Sequence, residues 1–243
     1  MWRKIAVVAT SIVTLTSCAT KENQGDPLEP INRQVYRFNS GVDALVLRPL
    51  ASGYAKITPS PIKTGIHNFF SNIDDVLVGG NNFLQGNAKN GFSDVARIVV
   101  NTTIGVVGLI DVASKMGLEK HDADLGQTLG KWGVGSGAYL VLPFFGSTTL
   151  RDTSNIVADV ALYNNISKEA STRDKLLPFK VLDVRAQLLG VESFVDAGGS
   201  DEYAFTRSVY LQGRESKITG VTPSASDEFD PGPTPETTAS SPQ

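Results

Sequence analysis

Residues 95–110 read VARIVVNTTIGVVGLI, and Arg97 is the only charge among them. Val99, Val100, Ile104, Val106, Val107, Leu109 and Ile110 fall on several sides of any helix. A helix that is apolar all round lies deep in a core or against lipid. Asn101, Thr102, Thr103, Gly105 and Gly108 interrupt the run, and a bilayer span needs about 20 apolar residues. The stretch therefore reads as a core or leaflet helix and not as a transmembrane span. Val99, Val100, Ile104 and Val107 are its candidate lipid-facing residues.

Helical patterns flank this stretch on both sides. After the turn-like Asp26-Pro27-Leu28-Glu29-Pro30, residues Ile31, Val35, Phe38 and Val42 recur on one helical face. That helix is expected to end before Pro49. Ser60-Pro61 reads as an N-cap followed by proline at the first helical position. Ile62, Ile66, Phe69, Phe70 and Ile73 continue the helix, and Val76–Leu84 reads as a short separate segment. Downstream, Val181, Val184, Leu188 and Val191 share a face, and Ser200 is the expected cap of a last helix carrying Phe205, Val209 and Gln212 on one side. Period-two alternation is scarce, so the expected fold class is mostly α.

Residues 126–146 differ. Glycines stand at 126, 130, 133, 135, 137 and 146, and the apolar run Tyr139–Phe145 is broken by Pro143. Glycine at this density disfavours a regular helix. The expectation is an irregular, hairpin-like loop with an apolar tip, either a moving part or a static connection. Gly133, Gly135, Gly137, Tyr139 and Pro143 are its candidate gating residues. Arg151, Asp152 and Asp159 are the nearest charges. Asp152 and Asp159 are two helical turns apart and can line one face of a polar path. Equally, Arg151 can lock onto Asp152 or onto a helix end. Asp183 and Arg185 are weaker candidates for the same path.

The ends carry an address and a tail. Arg3 and Lys4, the apolar Ile5–Thr14 and the small residues after them form a secretory signal. Leu15-Thr16-Ser17-Cys18 resembles a lipobox, with the chain's 1 cysteine where a lipid would be attached. Beyond Thr222 the chain is rich in Pro, Ser and Thr, with acidic but no basic side chains. Such a segment cannot offset its ordering entropy. The expected division is signal 1–17, lipidated linker 18–25, folded domain 26–215 and disordered acidic tail 216–243.

Composition excludes several classes. With 22 basic and 25 acidic side chains in 243 residues, the net charge of −3 gives no nucleic-acid footprint. One cysteine excludes a disulfide scaffold. Gly133–Ala138 spells G-x-G-x-x-A, but glycine-rich sequence precedes it and Pro143 follows, so the strand–turn–helix of a dinucleotide site is missing. No nucleophile elbow, zinc-binding His pair or phosphate-loop lysine is present. His121-Asp122-Ala123-Asp124 reads as a solvated acidic loop before a metal site. The chain is expected to be no enzyme and to need no cofactor.

Five ordered blocks then resemble one family. They are Asp26-Pro27-Leu28-Glu29 with Asn32-Arg33 and Phe38-Asn39; Asn68-Phe69-Phe70 with Leu84-Gln85-Gly86; Asn101–Gly105 with Gly108 and Asp111-Val112-Ala113; Gly126–Gly130 with Trp132-Gly133-Val134, Leu142-Pro143 and Arg151-Asp152; and Arg185–Leu189. They are similar to the MlaA (VacJ) outer-membrane lipoproteins over about 26–215. Pro30-Ile31, Leu125 and Ser147-Thr148 depart from the usual pattern. The resemblance implies a ring-like helical protein in the periplasmic leaflet of the outer membrane, around an amphipathic channel. It implies phospholipid as cargo, a trimeric porin as membrane partner and a soluble periplasmic lipid carrier as acceptor. Two other readings stay open: a structural lipoprotein that only stabilises porins, and a phospholipid hydrolase.

Overall fold

The computed structural model describes residues 26–166, 169–190 and 201–221, with 171–173 described by their backbone alone. Cys18, the signal, the linker, Val191, Ser200 and the chain beyond 221 lie outside these residues. The described chain is mostly helical: α1 Glu29–Val42, a π-helical turn Asp43–Leu47, α2 Arg48–Ile57, α3 Ser60–Leu84, α4 Ala88–Thr103, α5 Val112–Lys115, α6 Leu125–Lys131, the strands β1 Tyr139–Leu142 and β2 Gly146–Thr149, then α7 Thr153–Ile166, α8 Ala170–Leu188 and α9 Glu202–Thr219. No helix among the described residues is long and apolar enough to cross a membrane.

Several boundaries differ from the sequence reading, each for a local reason. Pro49 does not end the first helical run. The π-helical turn inserts ahead of it, and Pro49 falls in the first turn of α2, where a missing N–H costs nothing. Pro59, not Ser60, stands at the cap of α3, and no side chain caps it. α3 runs unbroken through Gly79-Gly80 to Leu84. Gly79 lets α4 approach closely there, since a Cβ would sit 3.3 Å from the Asp94 Cβ. The 95–110 stretch is not one helix: α4 ends at Thr103. Gly108 then donates to the Asn101 carbonyl (2.7 Å), while Val106 and Val107 take φ of 54° and 57°. Two successive β-branched residues in the left-handed region cost on the order of 1–3 kcal/mol each. Asp201 caps α9 by accepting from the Ala204 N–H (3.1 Å), and α9 continues to Thr219, past the expected end at 215. Gly126 and Gly130 are helical, inside α6, so the irregular segment begins only after Lys131.

The two strands form an antiparallel hairpin with Tyr139 opposite Thr149 and Leu142 opposite Gly146. A lone two-stranded hairpin is marginal in water, and here α1 serves as its third edge. Asn32 donates to the Tyr139 carbonyl and accepts from the Val141 N–H, both at 3.0 Å. Asn39, two turns on, donates to the Leu142 carbonyl and accepts from the Phe144 N–H, both at 2.9 Å. Two side-chain amides thus replace the backbone of a missing strand.

Polarity is inverted relative to a water-soluble domain. Among the described residues, fifteen polar or charged side chains are buried against eight apolar ones, while thirty-two large apolar side chains are exposed. Parts of the apolar stripes face outward, Ile31 and Phe38 on α1 and Val181, Val184 and Leu188 on α8, while Val35 packs against the cluster of Tyr139, Val141 and Tyr203. Among the described residues, the fully buried ones of the same helices are Asn32 and Asp183.

Candidate functional site

The interior is built from paired polar groups. At its centre, Arg97 of α4 is 1% exposed. Its guanidinium donates to the Leu118 carbonyl (2.6 Å), Ser114 Oγ (3.0 Å) and Asp111 Oδ2 (3.2 Å), and it stands 3.5 Å from Asp75. Lys120 also pairs with Asp75. Burial pushes the Asp111 carboxyl up, but hydrogen bonds from Ser114 and Asn101 and the Arg97 charge outweigh it and hold the group down at about 2. Alongside, Asn82 and His121 both engage Asp94, each at 2.7 Å.

A second cluster ties α9 to the base of the hairpin. Arg214 contacts Asp124 at 2.5 Å and Asp152 at 3.0 Å. Arg151 reaches Asp152 at 2.9 Å, and the Tyr210 hydroxyl donates to it at 3.1 Å. Burial raises the carboxyls of Asp152 and Asp124, but their arginines outweigh it and hold both below the usual range. A depressed carboxyl contributes stability above the ordinary pKa of about 4 and loses it as pH falls through the folded value. Acid titration by circular dichroism should therefore show wild type losing stability below about pH 4, with a smaller acid-dependent loss in Arg214→Met. Gly126 lies where no side chain fits, since a Cβ would meet Asp152 Oδ1 at 2.3 Å and Arg214 at 2.7 Å. Gly126→Ala is expected to destabilise by about 1–3 kcal/mol, read in thermal unfolding.

A third group lies between α3, α7 and α8. Lys180 donates to Asp74 (2.7 Å), the Tyr163 hydroxyl donates to the same oxygen (2.9 Å), and the ammonium stands 4.7 Å from the Tyr163 ring centre. Asp159 faces this group with no hydrogen-bond partner for its carboxyl among the described residues. Burial pushes that carboxyl up; Lys180 opposes the shift, while Asp74 and Asp124 add to it.

The sequence candidates fall as follows. Asp152 is 1% exposed and held by two arginines, which is the lock arrangement. Asp152 precedes α7 and Asp159 lies within it, so the two do not share a helix. Asp159 is the charge without a lock. Gly133 and Gly137 take φ of 89° and 69° in the connection before the hairpin, where Gly135 meets nothing. Tyr139 is buried and donates to Ser147 Oγ at 2.8 Å. Pro143 is in the hairpin turn, beside Phe144 and Phe145, which are 70% and 55% exposed. Val99, Ile104 and Val107 are exposed and Val100 is half-buried. His121, Asp122 and Asp124 pair with Asp94, Lys217 and Arg214, and no metal-holding group of side chains occurs among the described residues. Asp183 is buried, and Arg185 pairs with Asp43 at 2.6 Å. Sequence reasoning missed Asp74, Lys180 and Arg214, read Asp124 only as part of a solvated acidic loop, and quoted Asn32 and Asn39 as family residues without assigning them a structural role.

These features define a mostly helical protein with buried, paired polar groups, exposed apolar helix faces and a two-stranded hairpin. The family model described as MlaA lipoprotein matches residues 24–217. The chain is 34% identical to the intermembrane phospholipid transport system lipoprotein MlaA of Shigella flexneri, over 86% of each chain. It is 33% identical to the same-named protein of Escherichia coli, again over 86% of each. It is 39% identical to an uncharacterized protein of Rickettsia bellii, over 79% of this chain and 76% of the other. A solved structure described as the structural basis for maintenance of bacterial outer membrane lipid asymmetry matches with a TM-score of 0.70 and 34% identity, over 79% of this chain and 98% of the other. The chain belongs to the MlaA lipoprotein family.

Proposed function

We propose that this protein takes phospholipids misplaced in the outer leaflet of the outer membrane, passes them through an amphipathic channel and hands them to a soluble periplasmic carrier. It is anchored through Cys18 on the periplasmic side, rests in the inner leaflet beside a trimeric porin, and makes or breaks no covalent bond. The inverted polarity carries this reading. A headgroup needs a polar path because charge in hydrocarbon is costly, and an embedded exterior needs helices with apolar faces. The buried polar groups and exposed apolar faces support this reading. Val99, Val100, Ile104 and Val107 contact acyl chains. Asp159, with Lys180 and Asp74, lines the path. The 133–143 segment opens it.

Deletion is expected to leave phospholipid in the outer leaflet and to sensitise cells to detergent. An intact barrier with unchanged outer-leaflet lipid in the deletion strain rejects the proposal. Lysophospholipid released by the purified protein supports the hydrolase reading instead.

Asp159 separates transport from architecture. Its raised carboxyl pKa means that the folded state disfavours the charged form, so ionised Asp159 costs stability at neutral pH. That cost fades as pH falls through the folded value and is gone below the ordinary carboxyl range of about 4. Asp159→Asn is therefore expected to raise Tm at pH 7, with the gain shrinking in acid, while failing to restore outer-leaflet lipid in a deletion strain. Full restoration by Asp159→Asn and by Asp159→Lys, with porin still co-purifying, favours the purely structural reading.

A further inference from the structure

Away from the Asp159 group, a pocket of about 260 Å³ opens between α2, α3 and α8. Lys63, Thr64 and His67 of α3 line one side, and Tyr54, Asp183 and Gln187 line the others. Asp183 is 2% exposed and accepts from the Tyr54 hydroxyl (3.0 Å) and from Gln187 Nε2 (2.9 Å). A carboxylate only accepts, so it fixes the Gln187 amide with its NH₂ inward. The same nitrogen lies 2.7 Å from His67 Nδ1. Its second hydrogen makes Nδ1 an acceptor, so the imidazole proton sits on Nε2. Through Gln187, the buried carboxylate thus sets the tautomer of a half-exposed histidine on the pocket wall.

His67 then offers an Nε2–H. Beside it, the Thr64 hydroxyl has no hydrogen-bond partner among the described residues. Lys63 uses one of its three N–H groups on the Ala55 carbonyl (3.0 Å), leaving two. All three donors occupy one turn of α3. The Asp183 oxygens are already turned toward Tyr54 and Gln187. The opposite histidine provides a contrast. His121 Nδ1 is 2.7 Å from Asp94 Oδ1 and must donate there.

We infer that the Lys63–Thr64–His67 pocket binds a phosphate anion, with Asp183 and Gln187 as positioning residues for the imidazole. The phosphate is that of a lipid headgroup or of free phosphate. The lipid source alone rests on the transport reading above; the anion chemistry does not.

The chain has 2 histidines, so ¹⁵N-histidine labelling of the full chain in detergent resolves both imidazoles. At about pH 8, above the usual imidazole range, His67 is expected as the Nε2–H tautomer and His121 as the Nδ1–H tautomer. Inorganic phosphate should shift the His67 signals and leave those of His121 in place. Lys63→Met with Thr64→Val should weaken that response about tenfold or more at unchanged Tm. Gln187→Met should release the His67 tautomer and weaken phosphate in step. A soluble short-chain phosphatidylglycerol that shifts His67 at lower concentration than phosphate assigns the site to a headgroup, and equal concentrations assign it to the free anion. An Nδ1–H tautomer at His67, or His67 signals unmoved by both probes, overturns the inference. Because the phosphate arm contains no membrane lipid, its outcome is independent of whether the protein transports phospholipid.

Discussion

Arg97→Met is expected to destabilise the protein by about 3–5 kcal/mol, the usual cost of removing one partner from a buried ion pair. Arg97 is 1% exposed, as is Asp75. Removing the guanidinium strips a donor from the Leu118 carbonyl and from Ser114, and leaves Asp75 with Lys120 alone. Asp111 loses the charge that helps keep it ionised. The methionine side chain fills much of the space but supplies none of the donors. Thermal unfolding should show a Tm lower by roughly 10 °C. Arg97→Lys should recover only part of the loss, because a single ammonium cannot serve partners arranged around a planar fork. A Tm within about 2 °C of wild type for Arg97→Met would show that the cluster is not what joins α4 to the loop after it.

The second large effect concerns the hairpin tip. Asn39 binds both the Leu142 carbonyl and the Phe144 N–H, and the Phe38 and Phe144 rings meet edge to face with centres 5.5 Å apart. Phe144 holds a φ of 66°, a strained value for a non-glycine residue. On the proposed function, movement of this tip opens the lipid path. Asn39→Cys paired with Phe144→Cys replaces this releasable latch with a covalent one. In a deletion strain, the oxidised pair should leave outer-leaflet phospholipid uncleared, with transport reduced on the order of tenfold, the scale of a lost gating step. Reductant should restore it to the level of the reduced double variant. Equal clearance by oxidised and reduced protein would rule out the hairpin tip as the moving part.

The sequence by itself determined that the chain is mostly helical, that its apolar residues lie in helical stripes and that part of the 126–146 region departs from helix. The spacing of Ile31, Phe38, Val181 and Leu188 marks those stripes correctly. Periodicity cannot say which way a stripe faces, because amphipathic helices have the same period in water and in lipid. Only the tertiary structure turned parts of the stripes outward and placed Asn32, Arg97 and Asp183 inside. It also split the charges near the hairpin. Arg151, Asp152 and Asp159 look alike along the chain, yet Arg214, some sixty residues later, reaches back to Asp152 and leaves Asp159 without a lock. The reach of that arginine depends on how α9 packs against α6 and β2. Local sequence marks helical stripes but misplaces several helix ends, as at Pro49, Val76 and Gly126. Which polar group is satisfied, and which stays free to meet a ligand, is decided by long-range partners.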